Sequence, residues 1–166
     1  MPFLRIGLVA LAFPAVLCAQ SYRGFTAGAP YRDFAERARM LALREPLVCN
    51  TPRRTAQLME CGVRIQDPAD GATFYLSAHV IEGRVALVSF GDSGGPALVD
   101  RVRGDLVARL GPGRRTGTST IEWANGRKVV RFNWRGRGPA RWIYVLLEDR
   151  DVTDRISKYV PRRPPS

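Results

Sequence analysis

Thr73-Phe74-Tyr75-Leu76-Ser77-Ala78-His79-Val80-Ile81 is the stretch on which the fold turns. Phe74, Leu76, Ala78 and Val80 alternate with Tyr75, Ser77, His79 and Ile81, and in a strand alternate residues face opposite ways. The first set is uniformly apolar and belongs against helices. The second is more polar and belongs on an open face.

Outward from this strand the turns are clear. Asp67-Pro68-Ala69-Asp70-Gly71 separates it from a strand at Leu58 to Gln66, and Glu82-Gly83 separates it from one at Arg84 to Phe90. The three make an antiparallel meander. Before them, Pro30 leads a helix on which Tyr31, Phe34, Ala35, Ala38 and Leu41 share one face. The stretch 42–57 reads as irregular. The second half repeats the order. Gly94-Gly95-Pro96 precedes a helix carrying Leu98, Val99, Val102, Leu106, Val107 and Leu110, and Gly111-Pro112-Gly113 ends it. Strands follow at Thr118 to Trp123, Lys128 to Trp134 and Arg141 to Leu147, with Asn125-Gly126 as a hairpin turn. Asp149 to Tyr159 reads as a short closing helix, and 161–166 as a disordered tail. The expected fold class is α+β: an antiparallel sheet with helices on one face, in a single domain over 20–160. Its tandem halves, 24–90 and 91–160, each hold a helix plus three strands.

The first 19 residues read as an export signal. Arg5 supplies the positive start, Ile6 to Leu17 an apolar run, and Ala19 a small residue at the cut. That run is too short to span a bilayer, and no later stretch is long enough. The expected location is periplasmic or secreted. Export directs Cys49 and Cys61 toward a disulfide, since Cys18 is the only other cysteine. One histidine and two mature cysteines are too few for a four-ligand zinc site, so neither metal nor cofactor is expected.

The chain has 166 residues, with 26 Lys and Arg against 15 Asp and Glu, a formal charge of +11. Of the basic residues 24 are Arg, spread along the chain rather than clustered. Such a surface attracts anionic envelope components. Nucleic acid is disfavoured, because no run of aromatics is set among basic residues.

The helix-then-strands order, the turn Gly28-Ala29-Pro30 entering a helix, and Leu106-Val107-Ala108-Arg109-Leu110-Gly111-Pro112 before the Trp123 strand carry a resemblance. They resemble small exported proteins typified by β-lactamase inhibitor protein and the outer-membrane assembly lipoproteins of the SmpA/OmlA type. Those families act as noncatalytic binding or assembly modules, so the resemblance implies a module of that kind with a protein partner. Leu17 before Cys18 departs from the small residue that precedes a lipidated cysteine. No functional residue is carried over.

Gly91-Asp92-Ser93-Gly94-Gly95-Pro96 is identical to the nucleophile segment of trypsin-like serine proteases. A hydrolase would use Ser93 as nucleophile and His79 as base. Those enzymes keep the two in separate barrels, whereas here fourteen residues part them, with no aspartate between His79 and the motif. Asp92 or Ser93 is expected to cap the following helix instead. Glu148, Asp149, Asp151 and Asp154 are expected to cap the closing helix rather than bind calcium.

The function expected is therefore an exported noncatalytic binding or assembly module. The alternatives are the Ser93–His79 hydrolase and an Arg-rich structural protein contacting anionic lipid or glycan. Alternation places the binding residues Tyr75, His79, Arg131 and Asn133 on the open face of the sheet; the strand Arg141 to Leu147 is apolar on both faces, and the polar handles of Trp142 and Tyr144 assign these two to the same face, where aromatics and arginine meet.

Overall fold

In the computed structural model, which describes residues 20–51, 58–138 and 140–155, the alternating segment is β5(Thr73–Ile81), well inside an eight-stranded antiparallel sheet. Its neighbours are β4(Leu58–Gln66) and β6(Arg84–Gly94). Phe74, Leu76, Ala78 and Val80 are all buried, and Tyr75 is half exposed. The export signal 1–19, the tail 161–166 and residues 156–159 of the expected closing helix lie outside the described residues.

Each helix is followed by four strands rather than three. After α1(Tyr31–Leu41) come β3(Val48–Asn50) and then β4 to β6. After α2(Pro96–Leu110) come β7(Arg114–Gly117), β8(Thr120–Asn125), β9(Lys128–Arg137) and β10(Ala140–Asp149). The sheet order is β3-β4-β5-β6-β10-β9-β8-β7. The first strand of each half is thus an edge, and the last strands of the two halves pair at the centre, from Leu87↔Glu148 to Gly94↔Arg141. The added edges β3 and β7 are short and lack apolar alternation, which is why pattern alone reads them as loop.

The central pairing also changes the reading of the Gly-Asp-Ser-Gly segment. Local chemistry there says turn, yet ladder bonds to β10 keep the backbone extended through Gly94. The N-cap of α2 is Gly95, with Pro96 at the first helical position and no side-chain cap, so neither Asp92 nor Ser93 caps the helix. Asp149 does cap as expected. Its carboxylate accepts from the amides of Asp151 and Val152 at the start of α3(Arg150–Thr153).

The core lies between the sheet and the two long helices, which bury Phe34, Ala35 and Ala38 from α1 and Leu98, Val99, Val102 and Leu106 from α2. A hairpin, β1(Ser21–Tyr22) and β2(Phe25–Thr26), joins them. Its Tyr22 and Phe25 meet Phe90 edge-on at 5.1 and 5.6 Å. The turn residue between these strands, Arg23, is buried with φ 51°. Its guanidinium bonds both oxygens of Asp70 and one of Asp67, lies 3.9 Å from Asp105 of α2, and sits 4.7 Å over the Phe74 ring. One side chain thereby ties the N-terminal hairpin to the β4–β5 turn and to the second helix. Hydrogen bonding from Arg23 holds the Asp70 carboxyl down at about 2. Burial lifts the Tyr22 phenol to about 12.

Cys49 and Cys61 face each other across β3 and β4 and form a disulfide, with Cα atoms 4.0 Å apart. This bond fastens the shortest strand of the sheet to its neighbour. A second, small cluster of Ile81, Ala86 and Val152, with Leu58, closes one end. Ile81 follows core residue Val80 on an extended strand, so this cluster lies on the side away from α1 and α2.

Candidate functional site

Beyond the small α3 cluster, the face opposite the long helices carries no helix among the described residues, and its side chains follow from register. One row crosses all eight strands: Val48, Gly62, Ser77, Ser89, Leu146, Arg131, Glu122 and Arg114. The next row toward the β9–β10 hairpin runs Arg64, Tyr75, Gly91, Tyr144, Asn133 and Thr120. Beyond it, Ser93, Trp142 and Arg135 stand together. Five of the six expected binding residues, Tyr75, Arg131, Asn133, Trp142 and Tyr144, fall in these rows. His79 lies one row the other way, with Glu60 and Leu87.

Glycine shapes the surface under the tyrosines. A Cβ at Gly62 would stand 2.4 Å from the Tyr75 hydroxyl, and one at Gly91 would stand 3.7 Å from the Tyr144 ring. Tyr75 therefore leans over a position without a side chain, and Tyr144 packs beside its cross-strand partner Gly91. Trp142, opposite Ser93, is 54% exposed, as is Tyr75.

Charge divides the face into two ends. Toward the α3 end stand Glu60, 3.9 Å from His79 Nε2, and Glu148, 4.0 Å from Arg150. Between the ends, Glu122 is held by Arg131 at 3.1 Å and Arg114 at 3.3 Å. Burial opposes ionisation of Glu122, but these two guanidinium partners outweigh it and keep its carboxyl below the usual range. Arg131 is thus already engaged. Toward the hairpin end the two rows through Tyr75 and Trp142 contain no carboxylate, and Arg64 and Arg135 have no ion-pair partner among the described residues. Thr120 donates to the Asn133 carbonyl at 2.9 Å, which leaves the Asn133 amide to donate outward.

An open pocket of about 240 Å³ borders this surface at the β3–β4–β5 corner, where Asn50, Glu60, Tyr75, Ser77 and His79 line it. Ser93 is not part of it. His79 is paired with Leu87, six residues before Ser93 on β6, so the two side chains lie about 20 Å apart on the same face. The structure does not bring together the nucleophile and base that the hydrolase alternative requires. Among the described residues no group of His, Cys, Asp and Glu is arranged to hold a metal ion, and no helix is long and apolar enough to cross a membrane.

Two further residues of this face have a sequence signal: Arg64 lies within the strand expected at Leu58 to Gln66, between buried Val63 and Ile65, and Arg135 falls one residue past the strand expected at Lys128 to Trp134, where β9 continues to Arg137. No protein-family model, no curated protein and no solved structure matches this chain.

Proposed function

We propose that the protein is a noncatalytic binding module whose recognition surface is the face of the sheet opposite the two long helices. The observation that carries this reading is the composition of that face. Three aromatics and two unpaired arginines share it with small polar side chains, while the opposite face is sealed under two helices by an apolar core. Exposed Trp, Tyr and Arg are the side chains that dominate recognition surfaces, and a β-sheet holds them in fixed register. The disulfide is compatible with an exported protein, and the resemblance to β-lactamase inhibitor protein and SmpA/OmlA modules points to binding or assembly as well.

The test is capture from a native envelope preparation by the mature protein, by Trp142→Ala/Tyr144→Ala, and by Arg32→Glu/Arg101→Glu on the helix side. Loss of the captured component with the first variant alone supports the reading. Capture that survives it, or that fails only with the helix-side variant, overturns it.

A further inference from the structure

We infer that the hairpin end of this face binds an acidic polysaccharide, with sugar rings stacked on Tyr144, Trp142 and Tyr75 and its carboxylates or sulfates met by Arg135 and Arg64. This rests on the face opposite the two long helices being the recognition surface and names its ligand. The first support is ring geometry. Tyr75 leans its hydroxyl over Gly62, Tyr144 packs beside Gly91, and Tyr75 and Trp142 are each 54% exposed, so the three rings share one open platform. They sit on strands two apart, about 10 Å at the backbone, close to the repeat of a β-linked disaccharide. Trp142 stands two residues from Tyr144 on the same strand and the same face, which extends the platform toward the hairpin.

The second support is the pattern of charge and hydrogen bonding. The rows holding these rings lack carboxylates and offer two cations without an ion-pair partner among the described residues, with the Ser93 hydroxyl on a strand between them, the Asn133 amide on the strand of Arg135 and the Thr120 hydroxyl on the next strand away from Arg64. A ligand with one charge every sugar or two and many hydroxyls fits that spacing. Single-stranded nucleic acid, with a phosphate at every nucleotide, calls for a denser cationic track. An acidic protein would be expected to anchor in a desolvated pocket, and the platform is open. A second copy of this chain would bring two surfaces of the same positive sign together, at +11 per chain.

The experiment titrates the mature protein with oligomers of a polyuronate, following Trp fluorescence and calorimetric heat, in parallel with oligo-dT and a polyglutamate peptide. Expected are saturable binding of the polyuronate with a change in Trp emission, and weakening of roughly tenfold or more in Trp142→Ala/Tyr144→Ala. A loss of similar size is expected in Arg135→Ala/Arg64→Ala, with little change in Arg32→Glu/Arg101→Glu. Circular dichroism of each variant establishes that it is folded. Equal weakening by the helix-side variant would mean general charge attraction and would overturn the assignment. Tighter binding of oligo-dT or polyglutamate with the same variant sensitivity would overturn the glycan while leaving the face as the recognition surface. Polyuronate binding that is unmoved by both face variants would overturn the face itself.

Discussion

Arg23 and Arg135 carry the same charge in one Arg-rich chain, and the difference between their surroundings separates architecture from recognition. Arg23 is buried under the sheet with Asp67, Asp70 and Asp105 around it and two aromatic rings against it. The three carboxylates and Phe74 all lie far away in sequence, so the charge is used to close the fold. Arg135 is exposed on the other face beside Trp142, with no carboxylate to hold it. Arg131 stands between the two cases, on the open face yet bonded to Glu122. The lesson is that net charge alone does not tell which arginines are available to a partner. The count of carboxylates in reach does.

The largest expected effect is at the sealed end of this comparison. Arg23→Ala strands Asp67 and Asp105 in partly buried positions and removes the packing on Phe74, so denaturant unfolding should show a loss of about 3 kcal/mol or more. A loss below about 1 kcal/mol would mean that Arg23 is no more structural than an arginine of the open face. Next comes the disulfide. Cys49→Ser/Cys61→Ser is expected to cost about 2 kcal/mol, read from the unfolding midpoint, and to loosen β3 more than β7 in amide exchange. Asp70→Asn probes the Arg23 site from its exposed side. A carboxyl held down in the folded state adds stability above its ordinary value of 3.8, and that stability is lost as pH falls toward about 2. The variant should therefore be less stable at neutral pH by roughly 0.5 to 1 kcal/mol, the half-exposed position limiting the effect. Its stability should also fall less steeply than that of the parent between about pH 4 and pH 2. The smallest effects belong to the open face. Arg135→Ala and Ser93→Ala should each change stability by no more than about 0.5 kcal/mol in thermal melts, since neither side chain is buried or capping.

How far the sequence carried this reading depends on the range of the interactions involved. The alternation in β5 and β9 is local, so the buried sets Phe74-Leu76-Ala78 and Val130-Phe132 and the outward Tyr75 are readable from pattern, whereas β10 is apolar on both faces and only the polar handles of Trp142 and Tyr144 mark its outward side. The cysteine pair is readable too, because the expected export signal takes in Cys18 and leaves Cys49 and Cys61 with each other. The Arg23 cluster is not, because it joins residues 44 to 82 positions apart through a turn that looks like any polar loop. The extension of β6 through Gly94 was hidden for a related reason. Gly91, Asp92 and Ser93 favour a turn locally, and only the ladder to β10, arriving some fifty residues later, overrides that preference. The unpaired state of Arg64 and Arg135 likewise depends on which strands lie beside them.

The mirrored strand order has a consequence in time. Each half ends on the strand that joins it to the other, so during synthesis β6 emerges as the raw edge of an incomplete sheet and stays so until β10 is made. Its backbone from Leu87 to Gly94 has no β10 partner throughout that interval. The ladder that closes the molecule is thus its last and least local, which places the rate-limiting step of folding at the seam rather than inside either half. It also makes the nascent first half the species most in need of a chaperone, since an unpaired central strand is an open template for pairing with the wrong chain.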